Sequence, residues 1–256
     1  MNASGAHENK PELVLIHGWG LGPAAWDAAR PALEARFNVT SLALPGYGDA
    51  APEPVSFIET ASRFAARIPD GAYVCGWSLG AMLALQIAAQ TKRTLAGLIL
   101  IGATPSFIKR TDWLPAQEPA LLDTFCQAIE HDATATLQRF IALINQGDTQ
   151  ARSIGRALNK QLQPALPATI ETLLEGLAWL RDVDLRATIA AVATPALLIH
   201  GAHDPLMPLA EAQWLAANLS EAELEVLPDA AHAPFLHAPE NFAKLIGEYC
   251  HAAARS

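Results

Sequence analysis

Short apolar runs alternate with amphipathic stretches along most of the chain. Six runs have the length and composition of buried strands: residues 13–16, 39–44, 72–75, 98–101, 196–199 and 223–227. Helical patterns lie between or after them, at residues 24–35, 57–68, 79–90, 209–217 and 239–252. Strands that alternate with helices predict a parallel sheet covered on both faces.

The alternation stops after residue 101 and resumes near residue 196. Between residues 112 and 184 no strand pattern occurs, and four segments are typical of helices: 119–131, 134–145, 149–163 and 168–180. We therefore predict an α/β fold with a doubly wound, mostly parallel sheet, formed by residues 1–111 and 185–256. Residues 112–184 are predicted to be a helical cap inserted over the carboxyl ends of the strands.

Composition restricts the class of protein. With 256 residues, 51% hydrophobic and 17% charged, the chain has enough apolar side chains for a large core. Its first apolar run is too short to span a bilayer, and the N-terminus lacks the pattern of an export signal. We expect a cytoplasmic monomer without membrane attachment. The formal charge of −9 also argues against a nucleic-acid partner.

The three cysteines, Cys75, Cys126 and Cys250, are widely scattered and lack the spacing of a disulfide framework or a metal site. We predict reduced thiols and no bound metal. Cys75 lies in an apolar strand, which favours a buried structural thiol over a reactive one.

The segment Gly76-Trp77-Ser78-Leu79-Gly80 is the strongest candidate for catalytic chemistry. A predicted strand leads into it and a predicted helix leaves it, as a nucleophile elbow requires. A Cβ atom on either glycine would collide with neighbouring backbone in so sharp a turn. We predict that Ser78 is a nucleophile; the alternative is an ordinary serine at a helix N-terminus.

A serine nucleophile needs a base, and the base needs an orienting group. Asp204 follows the fifth predicted strand and His232 follows the sixth, so both lie on loops at the same sheet edge as Ser78. We predict that His232 is the base and Asp204 the acid. The competing residues are three histidines for the base and one carboxylate for the acid: His200, His203, His237 and Asp229.

Backbone amides must also stabilise the oxyanion that forms during attack. The amide of Leu79, directly after the nucleophile, is one candidate. The other is the amide of Trp19, in the loop His17-Gly18-Trp19-Gly20 after the first strand. We expect His17 to brace this loop rather than to act as a base.

These motifs, in this order, resemble the α/β-hydrolase superfamily over the whole chain. The turn Pro45-Gly46-Tyr47-Gly48 also fits, whereas Ala43 stands where many members carry an aspartate. A serine at the elbow excludes the haloalkane dehalogenases and epoxide hydrolases, whose nucleophile is aspartate. The resemblance implies a serine hydrolase without a cofactor.

A closer resemblance is to the pimeloyl-acyl-carrier-protein methyl ester esterase family of biotin synthesis. It is carried by the two tryptophan-containing motifs above and by four further segments: Asp112-Trp113, residues 139–143, residues 183–186 and residues 231–235. This resemblance implies cleavage of a methyl ester on a carrier-bound acyl chain. It also implies an acyl site formed by Trp19, Ser78, Leu79, Phe140, Ile141, Ala142, Leu143, Ile144 and His232.

Two patterns in the cap bear on this interpretation. Phe140, Leu143 and Ile144 have i, i+3, i+4 spacing and form one apolar stripe, which could contact the acyl chain or merely pack the cap. A local excess of cations comprises Arg139, Arg152, Arg156 and Lys160. Such a stripe is usually a solvated surface, but on this acidic protein it fits an acyl carrier protein as the partner.

Two other classes of function remain open at this point. One is another acyl hydrolase on the same scaffold: a short-chain carboxylesterase, a thioesterase or a carbon-carbon bond hydrolase. The other is a ligand receptor that retains a hydrolase triad mainly for binding.

Overall fold

Six parallel strands form one sheet at the centre of the molecule. The structure is a computed structural model that describes residues 10–163 and 167–253. The strands are β1 Glu12–Ile16, β2 Asn38–Leu42, β3 Tyr73–Trp77, β4 Gly97–Ile101, β5 Ala196–Gly201 and β6 Ala222–Leu227. Their order in the sheet is β2-β1-β3-β4-β5-β6, with every neighbouring pair parallel. The predicted parallel sheet is confirmed.

Helices connect the strands and cover the sheet. They are α1 Arg30–Glu34, α2 Phe57–Arg67, α3 Leu79–Gln90, α4 Pro119–Ile144, α5 Ala151–Gln161, α6 Ile170–Asp182, α7 Leu209–Asn218, α8 Pro234–His237 and α9 Pro239–Ala253. Two 3-10 helices, Pro23–Trp26 and Ile189–Ala191, complete the connections within the described ranges.

The direction of the crossovers places these helices on both faces. The crossover from β1 to β2 runs toward one edge of the sheet, and those leaving β2, β3 and β5 run toward the other edge. Because parallel crossovers are right-handed, opposite directions put the helices on opposite faces. α1 packs against α9 on one face, and α2 packs against α3 on the other. The sheet is therefore doubly wound, as predicted.

Burial explains why the strands were recognisable from sequence. The central strands β3, β4 and β5 are buried at every position and are almost continuously apolar. The edge strand β6 instead alternates between half-buried and exposed residues over its first half. The two patterns are those of sheet centre and sheet edge.

One helix prediction needed correction. Residues 24–35 do not form one helix: the 3-10 turn ends at Trp26 and α1 begins at Arg30, so that Pro31 lies in the first turn, where a proline is tolerated. The break predicted between segments 119–131 and 134–145 is present within α4, where Asp132 has a non-helical backbone and its carboxylate accepts the Ala135 amide at 2.9 Å. The last predicted helix, residues 239–252, is α9, and His237 ends the short α8 before it.

Helices α4, α5 and α6 lie between β4 and β5 in the chain, within the predicted cap region. An ion-pair cluster joins the two ends of this region. Arg186 bonds Asp184 at 2.7 Å and Asp112 at 3.0 Å, and its guanidinium lies 5.6 Å from the centre of the Trp113 ring. Both connections between the cap and the sheet are thereby held together.

Across the part of the chain that the structure describes, no helix has the length and apolar character needed to span a bilayer.

Candidate active site

Ser78 occupies the strained turn between β3 and α3. Its φ of 58° makes it the one non-glycine residue with positive φ among the described residues. A Cβ on Gly76 would lie 2.3 Å from the carbonyl oxygen of Gly80, and a Cβ on Gly80 would lie 2.3 Å from that of Ile16. The Ser78 side chain makes no capping hydrogen bond. The geometry is that of a nucleophile elbow and not of an ordinary helix cap.

Asp204 and His232 meet beside the carboxyl ends of β4 and β5. Nδ1 of His232 lies 2.7 Å from Oδ2 of Asp204. Oδ1 of Asp204 accepts the amides of Leu206 and Met207, each at 2.9 Å. Burial alone would raise the pKa of Asp204, but the charge and hydrogen bond of His232, aided by His200, hold that pKa below its usual value. Asp204 is therefore ionised at neutral pH.

The bond to Asp204 fixes the tautomer of His232. Nδ1 donates to the carboxylate, so Nε2 carries the lone pair. Nε2 is buried and has no hydrogen-bond partner among the residues that the structure describes. The main-chain carbonyl of His232 accepts the indole N–H of Trp77 at 2.8 Å. The ring is thus held with one nitrogen free to accept a hydrogen bond or a proton.

The competing candidates lie elsewhere or have other partners. His200 is buried and its Nε2 bonds the carbonyl of Met207 at 2.8 Å. His203 is exposed, and Nδ1 of His237 bonds Asp148 at 2.9 Å. Asp229 is exposed and accepts the amide of Thr149 through its main-chain carbonyl. Among the candidates, only His232 is paired closely with Asp204.

Two residues of this site were not recognised in the sequence. Gly102, directly after β4, has φ of 50°, and a Cβ there would lie 2.9 Å from Nδ1 of His232. Glu211 is fully buried on α7, where burial and the nearby charge of Asp204 raise its pKa to about 10. A neutral Glu211 adds no second negative charge beside Asp204. A glycine after a strand and a lone glutamate on a helix carry no distinguishing signal.

His17 braces the loop that follows β1. Its Nε2 accepts the amide of Leu44 at 3.0 Å, so Nδ1 is the donor to the carbonyl of Gly18 at 2.8 Å. Burial lowers the pKa of His17 to about 4, which leaves the ring neutral. In a trans peptide the carbonyl and the following N–H point in opposite directions, so the amide of Trp19 points away from His17.

The amides of Trp19 and Leu79 are available for an oxyanion. The Trp19 amide makes no hydrogen bond within the described ranges. Leu79 is the first residue of α3, where an amide has no partner inside the helix. A Cβ on Gly18 would lie 3.2 Å from Cβ of Ser78, so the first loop closely approaches the nucleophile.

The indole of Trp19 joins the core to the cap. Its Nε1 donates to the carbonyl of Leu173 on α6 at 2.8 Å. The rings of Phe125 and Phe140, both on α4, meet it edge-on at centroid distances of 5.8 and 4.9 Å. A Cβ on Gly176 would lie 2.5 Å from the indole. Trp19 therefore contributes a backbone amide to the site and a side chain to its wall.

A small apolar cavity opens onto Ser78. Its volume is about 20 Å³, and Ser78 is the one polar side chain in a lining of Trp19, Ser78, Phe107, Leu121, Leu122, Phe125, Phe140, Leu177, Leu180 and Leu206. That volume accommodates roughly one water molecule. Helices α4 and α6 therefore leave little free space beside Ser78.

The predicted acyl-site residues divide into two groups. Trp19, Ser78 and Phe140 line the cavity, whereas Leu79 and His232 belong to the catalytic surroundings without lining it. The rest of the run from Phe140 lies outside the lining: Ile141 and Ile144 are fully buried, Leu143 is half-buried and Ala142 is exposed. Four of the five residues in that run therefore do not contact the closed cavity.

Most of the cavity wall was missed in the sequence. Leu121, Leu122 and Phe125 share one face of α4, and Leu177 and Leu180 share one face of α6. These apolar spacings are visible in the sequence, but they are equally typical of helix packing. Only the fold shows which of the stripes faces Ser78.

The four predicted basic residues are exposed. Arg139 lies on α4, and Arg152, Arg156 and Lys160 project from α5. None of the four is in an ion pair with another described residue. We call these four side chains the basic patch.

The described ranges also bear on metal binding and on thiol chemistry. No group of three or more histidine, cysteine, aspartate or glutamate side chains is arranged to hold a metal ion there. Cys75, Cys126 and Cys250 are free thiols, and burial raises the pKa of Cys75.

Comparison with known proteins agrees with this geometry. A model of the alpha/beta hydrolase family matches residues 13–245. A pimeloyl-acyl-carrier-protein methyl ester esterase from Aromatoleum aromaticum is 42% identical over 243 residues, covering 93% of this chain and 97% of the relative. A protein of the same name from Nitrosomonas europaea is 36% identical over 235 residues, covering 91% and 93%.

A solved structure shows the same fold. An esterase from Exiguobacterium antarcticum superposes with a TM-score of 0.85 at 21% identity, covering 95% of this chain and 93% of that one. The resemblance expected from the sequence motifs is confirmed: the chain belongs to the alpha/beta hydrolase family.

Proposed function

We propose that this protein is a serine esterase that hydrolyses the methyl ester of pimeloyl-acyl carrier protein, releasing methanol and pimeloyl-acyl carrier protein for biotin synthesis. The observation that carries the proposal is the His232–Asp204 pair at a strained Ser78 that opens into an apolar cavity. Relatives that are 34–42% identical over most of the chain bear the name of that activity.

The first half of the reaction forms an acyl-enzyme. Oγ of Ser78 attacks the ester carbonyl while Nε2 of His232 takes its proton. The amides of Trp19 and Leu79 donate to the oxyanion. His232 then returns the proton to the departing methoxide oxygen, so methanol leaves and Ser78 carries the acyl group.

The second half reverses the roles with water. His232 removes a proton from a water molecule, which attacks the acyl carbonyl. The tetrahedral intermediate collapses, Ser78 recovers its proton from His232, and the free carboxylate is released. Asp204 stays ionised throughout and stabilises the positive charge on the ring of His232.

The cavity determines which acyl group fits. Its lining carries no charged side chain, which favours an uncharged ester over a free carboxylate in the site. Each buried methylene of a pimeloyl chain contributes about 0.8 kcal/mol. About 20 Å³ holds roughly one water molecule, so we propose that α4 and α6 shift relative to Trp19 when the acyl chain enters.

The basic patch supplies a docking surface for the carrier protein. Its four cations are unpaired among the described residues, while the protein as a whole carries a formal charge of −9. A local positive surface on a negative molecule attracts and orients an acidic partner. We infer that Arg139, Arg152, Arg156 and Lys160 contact the carrier protein.

The small closed cavity favours one second candidate, a general esterase for short acyl chains. The two candidates differ in their preferred substrate. Purified protein should be assayed with methyl pimeloyl carrier protein, a short aryl ester and an acyl thioester. A value of kcat/KM for the carrier-bound ester well above that for the others supports the proposal, and a preference for the aryl ester overturns it.

The nucleophile is tested by Ser78→Ala with Ser153→Ala as a matched control. Ser153 is an exposed serine on α5. Ser78→Ala should reduce kcat by about 10⁴-fold or more, since removing one member of a triad disables the whole unit. Ser153→Ala should retain full activity. Multiple turnover in the wild type that Ser78→Ala abolishes would argue against a ligand receptor that keeps the triad only for binding, whereas full turnover by Ser78→Ala would exclude Ser78 as the nucleophile.

A further inference from the structure

The loop that carries His232 is attached to the cap as well as to the core. We call residues 229–232 the histidine loop and residues 144–149 the cap turn. The amide of His232 donates to the carbonyl of Ile144 at 3.1 Å, and the amide of Thr149 donates to the carbonyl of Asp229 at 3.2 Å. The cap turn therefore forms one wall against which the proposed base is held.

The side chain of Asp148, in the cap turn, adds hydrogen bonds to this attachment between the cap and the histidine loop. Its side chain is 1% exposed. Oδ2 accepts the amide of Ala231 at 3.2 Å, and Oδ1 accepts Nδ1 of His237 at 2.9 Å and the amide of Gln150 at 2.6 Å. Hydrogen bonds to a carboxylate group that is ionised are stronger than hydrogen bonds between two neutral groups.

The two residues of this region that Asp148 bonds lie before and after His232 in the chain. Ala231 directly precedes His232, and His237 ends α8, which begins two residues after His232. On the opposite side, the indole of Trp77 holds the carbonyl of His232. Asp148 touches neither Ser78 nor the imidazole of His232, so its effect on the ring is transmitted through backbone.

We propose that Asp148 is a positioning residue: it fixes the histidine loop so that His232 faces Ser78, and it makes catalysis depend on a seated cap. The proposal rests on the serine-esterase function above. A misplacement of about 1 Å at a reacting group costs roughly 100-fold in rate. Arg152 and Arg156 line the same surface depression as Asp148, so docking at the basic patch occurs next to this attachment.

The test uses p-nitrophenyl acetate, a small ester that needs no carrier protein. Active sites are counted by labelling Ser78 with a fluorophosphonate, and kcat is expressed per labelled site. Asp148→Ala should lower kcat roughly 10- to 100-fold with little change in KM. The rate constant for fluorophosphonate labelling should fall in parallel, because it reports activation of Ser78 without binding of an acyl chain.

Conservative variants separate positioning from folding. His237→Asn keeps a donor near the position of Nδ1 and should retain most of the activity, whereas His237→Ala should lose kcat. Asp123→Ala is the matched control, since Asp123 is a cap carboxylate that pairs with Arg181 at the surface. It should leave kcat and KM unchanged.

The possible failures are distinguishable. A wild-type protein that neither turns over the ester nor reacts with the fluorophosphonate would overturn the proposed function and the positioning role together. Active wild type with an unchanged kcat per labelled site in Asp148→Ala would overturn the positioning role alone, even if the melting temperature fell. Should that variant not fold, equal kcat in His237→Ala and wild type has the same consequence.

Discussion

At the scale of single residues, the site depends on groups held in uncommon states. Ser78 has a strained backbone, His17 is a neutral buried imidazole and Glu211 is a neutral buried carboxyl group. Each state is imposed by neighbours: close backbone packing at the elbow, and burial for the two titratable groups. The residues that perform chemistry are thus supported by residues that do not.

His17 should make stability depend on pH. Its pKa is about 4 in the folded protein against 6.5 in a model peptide, so the folded state binds fewer protons between these values. The stabilisation is complete above pH 6.5 and is lost as the pH falls toward 4. Between pH 7.5 and 4.5 the loss is about 2–3 kcal/mol.

The variant His17→Gln removes this titration while keeping one donor and one acceptor. Urea unfolding of both proteins at pH 7.5 and 4.5 measures the effect. The free energy of unfolding of the wild type should fall by about 2–3 kcal/mol more than that of the variant. Parallel losses in the two proteins would contradict a neutral His17.

At the scale of elements, the contact between the first loop and α6 matters most. The indole of Trp19 bonds Leu173 and packs where Gly176 leaves room. The amide of the same residue has no hydrogen-bond partner among the described residues, and we propose it as a donor to the oxyanion. The position of a cap helix and the geometry of the oxyanion site are therefore linked through one side chain.

Gly176→Ala tests this link against Gly155→Ala on α5. A Cβ at Gly155 meets nothing within 4 Å, so alanine there should stabilise the protein by about 0.5–1 kcal/mol through helix propensity. At Gly176 the clash with Trp19 should outweigh that gain, with a net loss of about 1–2 kcal/mol.

Urea unfolding and ester hydrolysis measure the two effects. Gly176→Ala should also lower kcat, because the displaced indole moves the amide of Trp19, whereas Gly155→Ala should not. Equal stabilisation by Gly176→Ala and Gly155→Ala would show that α6 can shift to accommodate the methyl group without moving the indole of Trp19.

At the scale of the whole molecule, a local group of cations lies on a protein that is negatively charged as a whole. The basic patch lies on the cap that covers Ser78, on a protein with a formal charge of −9. Long-range attraction toward such a patch raises the association rate of an acidic partner and weakens with ionic strength.

The double variant Arg152→Glu/Arg156→Glu tests the docking surface. At low salt it should lower kcat/KM for the carrier-bound ester by roughly tenfold or more, because like charges now repel the partner. Turnover of p-nitrophenyl acetate should not change. Lys92→Glu is the matched control, because Lys92 is an exposed lysine between α3 and β4, outside the cap. An unaffected carrier-bound ester at low salt would eliminate the patch as a docking site.

Much of this protein was determined by local sequence alone. All six strands were placed within two residues, because buried parallel strands are short continuous apolar runs. Ser78, Asp204 and His232 were recognisable because an elbow and two loops after strands bring them to one sheet edge. The strands are short apolar runs and the elbow is a local turn, so periodicity and turn chemistry reveal them.

The tertiary structure decided everything that depends on contacts between distant residues. The contact of Trp19 with Gly176 and the bond of Asp148 to Ala231 each join segments more than 80 residues apart. The cavity wall combines several apolar stripes that look alike in sequence. An apolar helix face predicts that the face is buried, but it does not identify the element against which the face packs. Packing of the cap on the sheet selects the partner, and with it the shape of the site and the setting of His232.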